Sequence, residues 1–97
     1  MNINPMNNPE FLAAVNGSTV RGVTCGIEFD GFLMWNVGGG MYATPQWEGA
    51  QGIAVSIDCG DTTHVDTIPV DWTGDGAVDA VRYVSAMRRW LRDCWKL

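Results

Sequence analysis

Residues 70–97 constrain the fold more than any other part of this sequence, because they contain its one segment with the period of a long amphipathic helix. Seven apolar residues recur there at helical spacing and predict a single buried stripe. They are Ala77, Ala80, Val81, Val84, Met87, Leu91 and Cys94. The segments before this helix have strand patterns, so their apolar face needs the helix as its cover.

The composition is that of one globular domain. A chain of 97 residues forms a single domain over residues 1–97, and a content of 46% hydrophobic and 18% charged residues excludes a disordered chain. No apolar run approaches the roughly 20 residues of a membrane span, and the N-terminus lacks the features of a secretory signal. Cys25, Cys59 and Cys94 lack Cys-x-x-Cys spacing, which indicates reduced thiols. The sequence therefore predicts a cytoplasmic protein.

A short helix is expected near the N-terminus. Asn8 is a good N-cap, and Pro9 suits the first helical position, where no N–H is needed. Asn16 and Gly17 supply a left-handed stop. So short a helix is not stable alone in water and must dock on the rest of the chain. Residues 1–7, which precede it, are expected to be flexible.

Strand-like segments fill the middle of the chain. Residues 18–29 predict one strand, and the dipeptide Asp30-Gly31 predicts a type I′ turn that returns the chain as residues 32–37. A short third strand is expected at residues 41–44. A loop at residues 45–52 follows it.

The last two strands are predicted at residues 53–59 and 63–70, and their register can be argued. A three-residue loop pairs Ile57 with Val65 and keeps the apolar residues on one face, so it is preferred. A two-residue loop would pair Ile57 with His64. The predicted architecture is α+β, with a short N-terminal helix, an antiparallel sheet of four to five strands and a long C-terminal amphipathic helix packed on one face.

The segment before the long helix, residues 71–79, resembles the first nine positions of a calcium loop of the EF-hand or dockerin kind. That resemblance implies oxygen ligands from four residues, which are Asp71, Thr73, Asp75 and Asp79. The twelfth position, where a bidentate Glu is expected, is occupied by Arg82. The alternative is a turn rich in aspartate that caps the helix N-terminus.

Charge is distributed unevenly along this chain of net charge −5. Nine acidic residues, and no Lys or Arg, lie between positions 28 and 79: Glu28, Asp30, Glu48, Asp58, Asp61, Asp66, Asp71, Asp75 and Asp79. From position 80 the sign reverses, with Arg82, Arg88, Arg89, Arg92 and Lys96 against Asp93. A nucleic-acid binder needs a basic main surface, so the acidic body argues against direct binding of nucleic acid.

No cofactor fingerprint or catalytic group stands out, so the sequence predicts a protein that is not an enzyme and needs no cofactor. His64 is the only histidine, and the three glycines at 38–40 lack the lysine of a phosphate-binding loop. The five tryptophans are more than a small core usually needs. Trp47, in the predicted polar loop, is a candidate anchor of a protein interface.

In size, charge and sheet-plus-helix plan, the chain resembles the small phage-encoded anti-defence proteins, in particular the anti-CRISPR inhibitors. The resemblance implies a non-catalytic inhibitor in the host-cell cytoplasm that binds a CRISPR–Cas effector and blocks target-DNA binding or cleavage. An acidic face would dock on the effector's basic nucleic-acid-binding surface. The candidate contact residues are Trp47, Glu48, Asp58, Asp61 and Asp66.

Two other function classes stay open. An immunity or antitoxin-like protein would neutralise a cognate toxin through the same acidic face. A calcium-responsive module would use residues 71–79. Unpaired helix and strand faces in so short a chain could also be completed by a homodimer.

Overall fold

The computed structural model describes residues 4–27, 33–38, 41–47, 53–58 and 63–94, and it confirms the predicted α+β fold. Helix α1 spans Pro9–Val15 and helix α2 spans Gly76–Cys94. Six strands lie between them: β1 (Thr19–Val20), β2 (Val23–Ile27), β3 (Leu33–Gly38), β4 (Met41–Trp47), β5 (Ile53–Asp58) and β6 (Thr63–Ile68).

The six described strands form one antiparallel sheet in the order in which they occur in the chain. Helix α2 contacts both edge strands, β1 and β6. A flat sheet of six strands is roughly 24 Å across, because neighbouring strands are about 4.8 Å apart. One helix is only about 10–12 Å in diameter. The sheet therefore curves around α2, which lies against its inner face.

The sixth strand, beyond the four or five predicted, comes from a tight turn inside the segment predicted as one strand at residues 18–29. Arg21 and Gly22 have backbone φ angles of 52° and 82°. Positive φ at two central residues characterises a type I′ hairpin turn, and Val20 accordingly pairs with Val23 across it. An L side chain at such a left-handed position costs about 1 kcal/mol, which makes Arg21 a strained residue.

The hairpin of β2 and β3 has a register that a regular two-residue turn does not produce. Ile27 pairs with Leu33, whereas a two-residue turn at Asp30-Gly31 would pair Ile27 with Met34. The predicted turn residues themselves lie outside the described part of the chain. The two strands are thus confirmed, and their register is shifted by one residue.

Strand β4 extends through a segment predicted as a loop. It continues to Trp47, and its Pro45 pairs with Val55 of β5. The described ladder between β4 and β3 ends at Ala43. Proline has no N–H to donate to a neighbouring strand, so it is tolerated where β3 no longer pairs with β4.

The register of β5 and β6 is the one that the sequence disfavours. Ile57 pairs with His64, so the prediction of an Ile57–Val65 pair is wrong. Ile68 explains the choice, because it is the buried residue near the end of β6 and pairs with Ile53. In the rejected register Ile68 would pair with Ala54, one residue out of phase.

Helix α1 begins and ends as predicted. The Asn8 side chain accepts hydrogen bonds from the backbone N–H groups of Glu10 and Phe11, at 3.0 and 3.4 Å. Gly17 has a φ of 84°, which stops the helix in the left-handed conformation. Both ends are set by residues within or next to the helix, which is why the sequence alone predicts them.

The structure describes a short helical segment within residues 1–7, the part of the chain that is predicted to be flexible. Residues Pro5–Asn7 form a short 3-10 helix, and the side chain of Asn4 accepts a hydrogen bond from the Met6 N–H at 2.9 Å. Pro5 is buried, and Met6 packs against the core. Apolar contact thus fixes a segment that has no strong helical pattern.

The buried face of α2 differs from the predicted stripe. Its buried residues are Gly76, Asp79, Ala80, Tyr83, Ala86, Met87, Trp90 and Leu91. Ala77, Val81 and Cys94 are exposed instead. Compared with the predicted stripe, the buried face of α2 is rotated about the helix axis toward Tyr83 and Trp90. An aromatic ring buries more apolar area than the side chain of a valine or alanine.

An aromatic cluster joins the two helices to the sheet, where the Tyr83 ring of α2 contacts Trp35 of β3. The Phe11 ring centroid lies 5.9 Å from that of Trp72 and 5.6 Å from that of Tyr83. The helices approach closely at Gly76, where an added Cβ would lie 2.9 Å from both the Glu10 Cβ and the Phe11 backbone nitrogen. Gly76 is therefore needed for the contact between α1 and α2.

Candidate functional site

The turn that leads into α2 is organised around Asp79, the only charged residue among the buried ones that the structure describes. The carboxylate of Asp79 accepts hydrogen bonds from the Thr73 N–H and the Thr73 hydroxyl, both at 2.8 Å, and from the Gly74 N–H at 3.0 Å. Gly74 adopts a φ of 87° to complete the turn. Both carboxylate oxygens of Asp79 are thus engaged within the fold.

The start of α2 is capped by two further carboxylates. One oxygen of Asp75 accepts hydrogen bonds from the Ala77 and Val78 N–H groups, at 3.0 and 3.1 Å. Glu10, from α1, also accepts from the Ala77 N–H at 3.1 Å. Negative charge at a helix N-terminus is favourable because it opposes the positive end of the helix dipole. The cap therefore joins α1 to α2 as well.

Of the four residues in the calcium hypothesis, Asp71, Thr73, Asp75 and Asp79, the last three have side-chain oxygens that hydrogen-bond within the fold. The Asp79 and Asp75 oxygens accept hydrogen bonds from N–H groups, and Arg82 donates to the Asp71 carbonyl at 2.9 Å. In the ranges that the structure describes, no three His, Cys, Asp or Glu side chains are grouped so that they could hold a metal ion. The alternative prediction of an aspartate-rich helix cap is confirmed.

The predicted acidic contact residues are separated by the sheet. Trp47 ends β4, where it pairs with Ile53 at the start of β5, and Asp58 stands at the other end of β5. At about 3.3 Å per residue, the two ends of β5 are roughly 17 Å apart. Glu48 follows Trp47 in the chain and Asp61 follows Asp58, and both lie outside the described residues. Trp47 and Asp58, which are predicted to contribute to one contact site, thus lie at opposite ends of β5.

Asp66 lies between those ends. It pairs with Val55, whereas Asp58 pairs with Tyr42 on one side and Thr63 on the other. Val55 is three residues from Asp58, so Asp58 and Asp66 occupy opposite phases of the pleated sheet. The candidate aspartates therefore differ in their register positions along the two strands.

Positive charge gathers at the C-terminal half of α2. Arg88, Arg89 and Arg92 are exposed there, and Arg92 contacts Asp93 at 2.7 Å. Hydrogen bonds from Arg92 lower the pKa of Asp93, and the positive charges of Arg21 and Arg89 add to this effect. The strained turn between β1 and β2 therefore brings Arg21 close to the end of α2, which the sequence does not predict.

Two buried side chains carry groups that could be reactive, the thiol of Cys25 and the hydroxyl of Tyr83, and both are held in their unreactive protonated forms by burial. Burial raises the pKa of the Cys25 thiol to about 12, so the thiol stays protonated at neutral pH. Burial also raises the pKa of the Tyr83 hydroxyl, which accepts a hydrogen bond from the Trp35 indole N–H at 2.7 Å. A protonated thiol is a poor nucleophile. Cys94, in contrast, is exposed.

Two surface grooves flank α2. The first, of about 310 Å³, lies between α2 and the end of β6 and is lined by Thr67, Ile68, Pro69, Ala86, Arg89, Trp90, Asp93 and Cys94. The second, of about 500 Å³, lies between α1 and α2 and is lined by Ala14, Ser18, Ala77, Ala80, Val81, Val84, Ser85 and Arg88. The sequence misses the second groove because the helical period assigns its valines to the core.

The chain matches no protein-family model, no curated protein and no solved structure. No helix in the described ranges combines the length and the apolar character needed to cross a bilayer.

Proposed function

We propose that this protein is a non-catalytic inhibitor whose acidic hairpins, β4 to β6 with their connections, dock on the basic nucleic-acid-binding surface of a CRISPR–Cas effector. Such docking would block target-DNA binding or cleavage in the cytoplasm of the host cell. The acidic residues proposed for the interface are Glu48, Asp58, Asp61 and Asp66, with Trp47 as an apolar anchor.

The observation that carries the proposal is the separation of charge in space. Strands β4, β5 and β6 are consecutive neighbours in the sheet, and no Lys or Arg occurs anywhere from residue 28 to residue 79. The arginines Arg21, Arg88, Arg89 and Arg92 lie instead at the β1–β2 turn and on α2. The negative charge of the hairpins is therefore not balanced by basic residues on those strands, as docking on a basic partner requires.

The absence of a catalytic role is part of the proposal and has its own support. The buried titratable groups that the structure describes serve the fold: Asp79 holds a turn, Tyr83 bonds Trp35, and Cys25 is kept protonated by burial. None of these groups faces one of the two grooves.

Charge reversal at the two ends of β5 tests the proposal and locates the contact. Purified Cas effectors are captured with the tagged protein, with Glu48→Lys at one end and Asp58→Lys combined with Asp61→Lys at the other. Weaker capture with either variant supports an electrostatic interface and identifies the end that binds. Asp71→Lys is the matched control, since Asp71 is exposed and lies outside the hairpins.

Two outcomes would contradict the proposal. Capture of an effector that is unchanged in all reversed variants would exclude Glu48, Asp58 and Asp61 from the interface and would contradict electrostatic docking through the ends of β5. Capture of a toxin in place of an effector would favour the immunity-protein hypothesis, because the same acidic hairpins would then serve a different partner.

A further inference from the structure

The outer face of α2 carries the most exposed large apolar residues that the structure describes. Val81 is 68% exposed and Val78 is 41% exposed, and Ile27, at 37%, lies elsewhere in β2. Both valines lie in the N-terminal half of α2, as does Arg82, and the other three arginines, Arg88, Arg89 and Arg92, occupy the C-terminal half. Val78 and Val81 are one helical turn apart, so they form a small exposed apolar patch on α2.

The groove beside these valines suits a second helix. Its wall between α1 and α2 is formed by small residues, including Ala14, Ala77 and Ser85. Small side chains allow helix axes to approach to about 8–10 Å. The lining residues of the groove on α2 run from Ala77 to Arg88, about three turns of helix, so the groove matches the length of a helical segment.

We propose that this face binds the same face of a second copy of the chain, with the two α2 helices antiparallel and Val81 at the two-fold axis. In such an isologous contact, residues at equal distances from Val81 lie opposite each other. Val84 then faces Val78 of the second copy, and Ser85 faces Ala77.

Charge decides the direction of the two helices. Arg88 lies seven residues after Val81, which is about 10 Å along a helix. Asp75 lies six residues before Val81, and Glu10 caps the same helix end. An antiparallel pair therefore brings Arg88 of each copy to the carboxylates at the start of α2 in the other copy. A parallel pair would oppose arginine to arginine.

This surface is separate from the acidic hairpins, so the inference does not rest on the proposed function. The contact uses one helix face and part of α1, which makes a small interface. Interfaces of this size are typical of weak complexes, and we expect dissociation in the micromolar range.

Sedimentation equilibrium over micromolar to millimolar protein tests the proposal. The wild type should show a monomer–dimer equilibrium, and Val81→Arg should raise its dissociation constant at least about tenfold by placing two like charges at the axis. Ile27→Arg, at the other exposed apolar position, is the matched control and should leave the equilibrium unchanged. Arg88→Glu should also weaken the dimer, whereas Arg89→Glu, which borders the other groove, should have little effect.

A cross-link tests the position of the axis. In a background with Cys59→Ser and Cys94→Ser, Val81→Cys should form a disulfide-linked dimer under mild oxidation, since each copy presents this residue to itself. Ile27→Cys should not.

A wild type that stays monomeric throughout the concentration range would overturn the proposal, as would equal effects of Val81→Arg and Ile27→Arg. If Val81→Arg instead abolishes capture of a Cas effector by a monomeric protein, the groove belongs to that partner and not to a second copy. Circular dichroism confirms that each variant is folded.

Discussion

The indole N–H of Trp35 donates a hydrogen bond to the hydroxyl of Tyr83 at 2.7 Å, and it joins the centre of the sheet to the middle of α2. Both side chains are fully buried. Their rings lie 6.1 Å apart between centroids. A single polar contact inside an apolar core thus fixes where the helix lies across the curved sheet.

Removing the hydroxyl should destabilise the protein without changing its fold. Tyr83→Phe leaves the buried indole N–H without its acceptor, which costs about 1–3 kcal/mol of unfolding free energy. Urea denaturation followed by circular dichroism measures this change. An effect below about 0.5 kcal/mol would mean that the hydrogen bond contributes little to the position of α2.

The buried carboxylate of Asp79 should be essential for the turn before α2. Asp79→Asn keeps the shape but replaces one acceptor oxygen by an N–H₂ group, which would then face an N–H donor of Thr73 or Gly74. We expect a loss of about 1–3 kcal/mol in thermal or urea unfolding.

Asp71→Asn is the matched control for that variant. The Asp71 side chain is exposed, and its contact with Arg82 uses the backbone carbonyl. We expect a change within about 0.5 kcal/mol. Equal losses in the two variants would indicate a general effect of acidic charge near the start of α2.

The close approach of α1 and α2 should make Gly76 irreplaceable. Gly76→Ala would place a Cβ 2.9 Å from the Phe11 backbone nitrogen, so the helices must move apart. Overpacking of this kind costs about 1–3 kcal/mol. In Gly26→Ala, where nothing lies within 4 Å of the added atom, unfolding midpoints should stay equal to or above the wild type.

Alkaline pH should weaken the fold through Cys25. Its pKa is about 12 in the folded chain and 9.0 ordinarily, so from pH 9 upward the unfolded chain releases a proton that the folded chain keeps. The unfolded state then binds fewer protons, and the free energy of unfolding falls with pH by at most about 1.4 kcal/mol per unit. Below pH 9 this contribution is constant.

Urea titrations between pH 8 and pH 10 check this dependence. The range is chosen around the ordinary thiol pKa of 9.0. Cys25→Ala should flatten the fall in stability above pH 9, and Cys94→Ala, at an exposed position, should leave it unchanged. An identical slope in the wild type and Cys25→Ala would assign the fall to another group, with Tyr83 as the first candidate because burial also raises its pKa.

Features that depend on near neighbours in the chain were accessible from the sequence. The Asn8 cap and the Asp75 cap each bond backbone N–H groups two or three residues away. The glycine stop at Gly17 likewise needs only its own backbone conformation. Strand alternation and helical period then predicted the α+β class, because both reflect one element and its own exposed and buried sides.

Features that depend on distant contacts were decided by the tertiary structure. The helical period cannot distinguish Val81 from Tyr83 as the inner residue of α2. Tyr83 is the buried one, because its ring packs on Trp35 and Phe11. The β5–β6 register followed the burial of Ile68.

The candidate site also combines features that the sequence determines with features that only the tertiary structure decides. The sequence by itself determined the charges of the two surfaces, acidic on the hairpins and basic on α2. Only the folded sheet decided that Trp47 and Asp58 lie at opposite ends of β5, and only packing left Val81 exposed. The physical reason is that charge belongs to each residue, whereas position and burial belong to contacts between segments far apart in the chain.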